Sequence, residues 1–297
     1  IGGLKALYHF SPLEAETIVE LVKKEKGTIL LGTPTFFMNY LRRIPRENFA
    51  SIRLAIAGAE KLRTRVAKAF NEAFGFTPLE GYGCSELSPV AMINLPDIRE
   101  ATRDQIGNKP GTVGHPIPGV AVKVVNPESR EELAPGIMGL LLVKGPNVMN
   151  GYLKMPEKTA EVVWDGWYST GDLATLDKDG FVTLHDRLAR FSKIAGEMVP
   201  HGAVEDAIQK VLDEIEAICV VSSIADDRKG ERLIVLHTKE LDSKSLVKML
   251  ADSGLPNLWI PRSEDFFLVQ NIPVLGSGKL DLQGIKKLAE ELASTKQ

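Results

Sequence analysis

The chain has 297 residues, 44% of them hydrophobic and 25% charged, and its 36 basic and 39 acidic residues give a net charge of −3. This composition is that of a globular protein with room for two or three domains, and the near-neutral charge argues against a nucleic-acid partner. Apolar runs are too short to cross a membrane, and two cysteines are too few for a disulfide framework. We therefore expect a cytoplasmic protein, with membrane association of a longer parent protein left open.

Residues 1–105 predict an α/β domain in which helices and strands alternate. The stretch SPLE at 11–14 has the pattern of a helix capping box with proline at the first helical position. Helices are expected at 12–26, from Thr33-Pro34 onward and at 64–75, and strands at 28–32 (buried), at 53–59 and directly before Gly81. This alternation predicts a mostly parallel, three-layer sheet, and ligands of such sheets bind beyond the carboxyl ends of the strands. Residues 58–60 and 81–86 lie at two of those ends.

Residues 106–186 predict a small all-β subdomain. Glycine and proline recur at short intervals around the β-type runs VAVKVV (120–125) and LLLVKG (140–145). The sequence DKDG at 177–180 is a strong turn signal ahead of a further strand.

Residues 187–297 predict a compact α+β domain of ordinary size. Helices are expected at 205–215, 243–254 and 284–293, and strands at 217–223, 232–238 and 264–269. No Gly/Ser-rich linker precedes this domain, so any domain movement near 186–190 would use a tight hinge.

The stretch GYGCSE at 81–86 carries residue types suited to a nucleotide. Its glycines let a ligand approach the backbone, and Tyr82 can stack on a flat ring. Ser85 offers a hydroxyl to a phosphate, and Glu86 is a hard oxygen ligand suited to Mg²⁺. Taken alone, the stretch is explained as well by an exposed turn after a strand.

Two further stretches carry chemistry. In WYSTGDLA (167–174), Asp172 can accept hydrogen bonds from both hydroxyls of a ribose, although an aspartate that caps its own turn is also common. In NIPVLGSGKLD (271–281), a glycine-rich loop presents Lys279 to a phosphate or a developing anion, although a solvated lysine is the simpler explanation. The spacing of a P-loop is absent from this stretch.

The order of these stretches, with DRLARFSKIAGE (186–197) before the last, resembles the motif order of the adenylate-forming superfamily of acyl-CoA synthetases, luciferases and peptide-synthetase adenylation domains. GLLLVKGPNVMNGYLK (139–154) is similar to a further motif of that superfamily. The resemblance covers the whole chain. It implies the C-terminal part of a large adenylation domain, with a parallel sheet and a small β-barrel-like subdomain, followed by a small mobile α+β lid domain.

The resemblance also implies a reaction. A carboxylate attacks the α-phosphate of ATP, with Mg²⁺ bound, and a thiol then takes the acyl group from the acyl-adenylate. By this resemblance the nucleotide-binding residues are Gly58, Ala59, Glu60, Gly81, Tyr82, Ser85, Asp172 and Arg187, and the Mg²⁺ ligand is Glu86. Lys279 is implied in adenylation, Lys193 and Gly196 in thioester formation after the lid rotates, Gly83 and Cys84 in the acyl or pantetheine channel, and Ala189 at the hinge.

Departures from the superfamily qualify these expectations. Ala189 occupies the hinge position where Asp or Lys is usual, and Leu140 replaces the usual glutamate after Gly139. The Ser/Thr/Gly-rich phosphate loop of the superfamily is not found in the chain, and we expect it upstream of Ile1. The sequence therefore suggests a fragment that is inactive by itself.

The stretch RFSKIAGEMVPHGAVED (190–206) resembles the branch of acyl-acyl-carrier-protein synthetases and 2-acylglycerophosphoethanolamine acyltransferases. The implied partners are a fatty or other carboxylic acid and a phosphopantetheine thiol, carried by acyl carrier protein or CoA. A non-catalytic half-chain that docks a carrier protein and an amino-acid adenylation domain are the two alternatives.

Overall fold

The structure is a computed structural model, and it describes residues 3–100, 102–214, 218–275 and 280–295. The chain divides into two compact units, Ile1–Thr170 with Ala174–Leu184, and Gly171–Leu173 with His185–Gln297. None of the helices among the described residues combines the length and apolar character needed to cross a membrane.

In its described residues, the first half of the first unit contains three α-helices, a five-stranded sheet and a two-stranded sheet. Its elements are α1 (Ala15–Glu25), β1 (Ile29–Gly32), α2 (Pro34–Arg43), β2 (Leu54–Ala57), α3 (Thr64–Phe74), β3 (Leu79–Tyr82), β4 (Met92–Ile93), β5 (Ile98–Glu100), β6 (Arg103–Gln105) and β7 (His115–Pro116). The strand order is β1-β2-β3-β4-β7, in which β1, β2 and β3 are parallel and β4 and β7 antiparallel. The parallel part of the sheet is the one that the alternating helices and strands predicted.

Two local predictions in this region were wrong. Helix α1 begins at Ala15 rather than Pro12, because the backbone N–H of Glu14 bonds Ser11 in a turn and no side chain caps the helix. Strand β1 is buried on one face only: Leu30 packs in the core, whereas Leu31 on the opposite face is 69% exposed. Alternate strand residues point to opposite faces, so an apolar run alone does not establish burial on both.

The helices pack on one another through an aromatic core. The ring centroids of Phe37 on α2 and Phe70 on α3 are 5.1 Å apart, and the tilted ring of Phe74, in the next turn of α3, lies 4.6 Å from that of Phe70. Helix α2 begins where the sequence predicted, because the Thr33 side chain accepts a hydrogen bond from the backbone N–H of Phe36. This core also contains Leu30 of β1 and Ala55 and Ala57 of β2, so the helices pack on the parallel part of the sheet.

The second half of the first unit contains a second five-stranded sheet. Its elements are β8 (Ala121–Val125), β9 (Gly139–Lys144), α4 (Pro156–Val162), β10 (Val163–Trp164), β11 (Trp167–Leu176) and β12 (Val182–Arg187). The strand order is β10-β11-β9-β8, with β12 paired to β11. Helix α4 shows that the expectation of an all-β subdomain was wrong. The division at residue 105 stays a prediction; β4 and β7, which lie on either side of it, pair with each other.

The second unit has a mixed sheet covered on both faces, in which β17 runs parallel to β16 and the other pairs are antiparallel. Its elements are β13 (Phe191–Ile194), β14 (Glu197–Pro200), α5 (His201–Val211), β15 (Cys219–Asp226), β16 (Gly230–His237), α6 (Ser243–Asp252), β17 (Phe266–Leu268) and α7 (Leu282–Thr295). Val235 of β16 packs in the core that includes α5 and α6, and its neighbour Leu236 packs in the core that includes α7. The hairpin of β13 and β14 was not predicted from the sequence.

Candidate functional site

Two glycines lie side by side where β2 and β3 end. A Cβ built on Gly58 would lie 4.0 Å from the carbonyl oxygen of Gly81. The N–H of Gly58 bonds the carbonyl of Gly32, and the next residue, Ala59, has a φ of +68°. The absence of a side chain at Gly58 leaves the backbone open to a ligand at the carboxyl edge of the sheet, whereas a Cβ on Gly81 would contact Met92, Ile56 and Ile93.

Glu60, also predicted to contact a nucleotide, has partners within the chain. Its carboxylate accepts hydrogen bonds from the Thr35 hydroxyl at 2.7 Å and from the Thr35 backbone N–H at 3.3 Å. These bonds place a negative charge at the first turn of α2, where the helix dipole favours it. The structure therefore gives Glu60 a role in fixing the loop after β2 against α2.

The loop that follows β3 is closed by a backbone contact. A Cβ built on Gly83 would lie only 1.8 Å from the carbonyl oxygen of Pro89, so no other residue fits there. Ser85 is exposed in a 3₁₀ turn, Ser85–Leu87, and Tyr82 is half-buried against the core of the second sheet. The sequence placed Gly83 in an acyl or pantetheine channel, but its missing side chain is already required by the packing of this loop.

Glu86 lies in this loop and is bound by a segment far along the chain. The Tyr152 hydroxyl donates to Glu86 Oε1 at 2.9 Å, and the Met149 N–H donates to the Glu86 carbonyl at 2.8 Å. Tyr152 belongs to the motif at 139–154, yet the sequence did not single it out. Its place directly after Gly151 in that motif was the signal available.

Cys84 and Tyr168 complete a cluster around Glu86. The Cys84 thiol lies 4.0 Å from the Tyr168 hydroxyl. Burial, with a contribution from the Glu86 charge, raises the pKa of the Cys84 thiol to about 11, and burial also raises the pKa values of Tyr168 and Tyr152. All three groups therefore keep their protons near neutral pH, and Cys84 is unsuited to act as a nucleophile.

The residues around Glu86 fit a magnesium ion that is shared with a phosphate. Among the described residues there is no group of three or more His, Cys, Asp or Glu side chains able to hold a metal. Mg²⁺ is commonly bound by one or two carboxylates together with waters and substrate phosphates, rather than by a cage of protein ligands. A single carboxylate on a loop beside an open backbone suits that mode of binding.

The second unit holds the predicted ribose-binding pair. Arg187 Nε lies 3.3 Å from Asp172 Oδ1, and the Asp172 side chain is 13% exposed against 59% for Arg187. The aspartate comes from the middle of β11 and the arginine from the end of β12. A carboxylate and a guanidinium held side by side offer an acceptor and a donor to a ribose.

The predicted hinge residue Ala189 is exposed in a 3₁₀ turn, Leu188–Arg190. Arg190 at the end of that turn lies 2.5 Å from Glu205 Oε1 and 3.6 Å from Asp186 Oδ1. Burial of Glu205 raises its pKa, while the two carboxylates raise the pKa of Arg190. Asp186 and Arg190 therefore bracket the hinge position with an ion pair that the sequence did not reveal, although their i, i+4 spacing was visible.

The residues predicted to serve thioester formation lie on the hairpin of β13 and β14. Ala195 and Gly196 form its turn, with φ values of +50° and +88°, the pattern of a two-residue type I′ turn. Among the described residues, no atom beyond those of Gly196 and its two chain neighbours lies within 4 Å of a Cβ built on Gly196, and Lys193 is exposed two residues before the turn. Lys279 belongs to the segment 276–279, which lies outside the described residues.

The mixed α/β fold matches about half of the fold of adenylate-forming enzymes. The family described as AMP-binding enzyme matches residues 2–153, about half of the chain, and the chain belongs to this family.

Known relatives of the chain are acid–CoA ligases. It is 32% identical over 284 residues to a long-chain-fatty-acid–CoA ligase of Bacillus subtilis (strain 168), an alignment that covers 91% of this chain and 47% of the relative. It is 29% identical over 298 aligned positions to the mitochondrial medium-chain acyl-CoA ligase ACSF2 of Rattus norvegicus, with 98% and 47% covered. ATP-bound MatB from Rhodopseudomonas palustris matches with a TM-score of 0.79 and 26% identity, over 97% of this chain and 55% of that one. The chain thus spans about half the length of these relatives.

Proposed function

We propose that this chain is part of an AMP-forming acid–thiol ligase, which activates a carboxylic acid as an acyl-adenylate and transfers the acyl group to a thiol. The observation that carries the proposal is the adjacency of Gly58 and Gly81 at the ends of parallel strands, with Glu86 on the loop that follows. Open backbone at this edge, followed by one carboxylate, is what a nucleotide and its magnesium ion require. Membership of the AMP-binding enzyme family supports the same chemistry.

In the first unit, Gly58, Ala59 and Gly81 would line the adenine and Tyr82 would stack on it. Ser85 would bond a phosphate oxygen. Glu86 would hold Mg²⁺, which neutralises phosphate charge when bound. We assign Glu60 to the support of this edge through Thr35 as well as to the nucleotide.

In the second unit, Asp172 and Arg187 would bind the ribose. Lys193 and Gly196 would serve thioester formation, the glycine by leaving room for a pantetheine arm beside the turn. Lys279 would lie against the reacting carboxylate and the α-phosphate during adenylation. A cation at that position stabilises the negative charge that develops in the transition state.

The relatives support a fatty or similar carboxylic acid as substrate and CoA as the thiol. The sequence at 190–206 supports acyl carrier protein as a second acceptor. Both acceptors present the same phosphopantetheine thiol, so the chemistry of the transfer is shared. Parallel assays with CoA and with an acyl carrier protein, each with labelled palmitate and octanoate, distinguish them.

Binding of ATP tests the proposal on this chain. Isothermal titration with ATP and Mg²⁺ should give a dissociation constant of about 1 mM. Binding should be lost in Gly58→Val, whose side chain would cover the backbone at the sheet edge. We expect no ligase turnover by the chain alone, because the phosphate-loop motif is not found in it.

Two results would contradict the proposal. One is the absence of ATP binding at millimolar concentration. The other is the absence of acid-dependent pyrophosphate exchange in the longest natural protein that contains this sequence. Turnover by the 297-residue chain alone would contradict the narrower claim that it is catalytically incomplete.

A further inference from the structure

The Glu86 loop is attached to residues 149–152 by both its backbone and its side chain. The Glu86 carbonyl accepts from the Met149 N–H at 2.8 Å, and Glu86 Oε1 accepts from the Tyr152 hydroxyl at 2.9 Å. The first bond holds the backbone of Glu86, and the second holds the carboxylate at the end of its side chain. They restrict both the origin and the end of the side chain.

Tyr152 is itself held in place from its backbone. Its N–H donates to Thr159 Oγ1 at 2.9 Å, and that hydroxyl donates to the Met155 carbonyl at 2.9 Å. The ring lies under the Lys158 ammonium, 5.6 Å from the ring centroid. Tyr152 is therefore anchored to α4, and its hydroxyl is presented from a fixed position.

The Tyr152 hydroxyl is a donor near neutral pH. A tyrosine phenol ordinarily keeps its proton at neutral pH. Because the phenol keeps its proton, it can donate that proton to the Glu86 carboxylate. A neutral donor fixes the carboxylate without cancelling the charge that a cation needs.

We propose that Tyr152 is a positioning residue, which holds the Glu86 carboxylate in the orientation that receives the magnesium ion of Mg–ATP. The inference rests on the proposed function, because Glu86 is the assigned magnesium ligand. A carboxylate that is ordered in advance loses less rotamer freedom when the ion binds. Loss of a hydrogen bond to a metal-binding carboxylate commonly weakens metal affinity about tenfold or more.

The test measures how strongly Mg²⁺ improves ATP binding by the 297-residue chain. Titration calorimetry gives the ATP dissociation constant once with excess Mg²⁺ and once with EDTA, and the ratio of the two is the metal effect. We expect Tyr152→Phe to reduce this ratio about tenfold and to leave the EDTA value unchanged. Glu86→Gln should abolish the metal effect.

Tyr40→Phe is the matched control, because it removes a buried phenol oxygen from the helical core of the same unit. It should leave the metal effect at its original value. Thermal unfolding of each variant shows whether a change in binding follows from a change in folding. A purely structural role of Tyr152 would weaken binding equally with Mg²⁺ and with EDTA.

The outcomes separate this inference from the proposed function. A metal effect that survives Tyr152→Phe, or an equal loss under both conditions, overturns the inference and leaves the proposed function intact. An original chain whose ATP affinity does not depend on Mg²⁺ overturns the magnesium role of Glu86 and the inference with it. A chain that binds no ATP overturns the proposed function as well.

Discussion

Ser192 Oγ lies 2.6 Å from His201 Nε2 in the interior of the second unit, where both side chains are buried. The pair joins β13 to the first residue of α5. Burial, assisted by the charge of Arg190, lowers the pKa of His201 to about 3. The imidazole is therefore neutral in the folded protein at every pH at which the protein is commonly handled.

This depressed pKa predicts that the second unit loses stability in mild acid. The unfolded histidine takes up a proton below its ordinary pKa of 6.5, whereas the folded one does so only near 3. Unfolding therefore consumes a proton between these values, and stability falls as the pH falls through that window. Hydrogen exchange of peptides from β13 and α5 should show a loss of roughly 2–4 kcal/mol from pH 7.5 to 4.

His201→Gln removes this titration and keeps a polar partner for Ser192. The variant should lose clearly less stability over the same pH range than the original chain. Because other groups also titrate, the difference between the two proteins is the informative quantity. The same pH dependence in both would contradict the assignment to His201.

The contact between Gly83 and Pro89 predicts unequal effects of two similar substitutions. Gly83→Ala would place a methyl group 1.8 Å from the Pro89 oxygen, so the free energy of unfolding should fall by more than about 3 kcal/mol. Gly81→Ala would meet neighbouring atoms only at 3.4 Å or beyond and should change stability by less than about 1 kcal/mol. Urea unfolding measures both, and equal stabilities would show that the loop moves freely.

The ion pair around the hinge predicts a strong effect of Arg190→Met. The substitution leaves Asp186 and Glu205 without their cation in a largely buried site, which should cost roughly 3–5 kcal/mol. Adding Glu205→Gln should recover part of the loss, because glutamine can still accept from the Val221 N–H. A double variant no more stable than Arg190→Met, measured by urea unfolding, would argue against a charge effect.

At Gly196, substitutions can separate the cost of backbone strain from the effect of filling the space that the missing side chain leaves. Its φ of +88° means that Gly196→Ala should destabilise the chain by about 1–2 kcal/mol, whereas asparagine tolerates this region better. If the glycine also leaves room for a pantetheine arm, Gly196→Asn should keep the fold but slow thioester formation in the longer protein. Normal transfer rates from acyl-adenylate by the asparagine variant would exclude that role.

The two lysines should affect different half-reactions. In the longer protein, Lys279→Ala should lower acid-dependent pyrophosphate exchange by about 100-fold or more while thioester formation from supplied acyl-adenylate persists. Lys193→Ala should show the reverse pattern. Each variant is the control for the other, and equal losses in both half-reactions would refute the division of labour.

The elements that could be predicted from the sequence are those whose start or end is marked by neighbouring residues. Helix α2 was recognised because Thr33 and Pro34 form a start signal, and α3 because Gly75 follows its last turn with a positive φ. The start of α1 was misplaced because SPLE has a capping pattern while the chain uses it as a turn. Local sequence patterns suggest where a helix can begin or end, and tertiary packing determines which of these positions the fold uses.

The parts of the candidate site that could not be predicted depend on distant pairs. Tyr152 and Glu86 are far apart in sequence, and only the fold brings their side chains to 2.9 Å. Arg190 was not singled out in the sequence, and only the structure places it between Asp186 and Glu205. Residue types indicated what each group can do, but not which partner holds it.

The backbone contact between Gly83 and Pro89 also limits how this loop can vary among related proteins. Since the two ends of the loop touch and Met149 bonds its middle, the number of residues between the ends is constrained by geometry. Related sequences should therefore exchange residues within the loop but tolerate neither insertions nor deletions there. A carboxylate at position 86 therefore always follows strand β3 by the same number of residues.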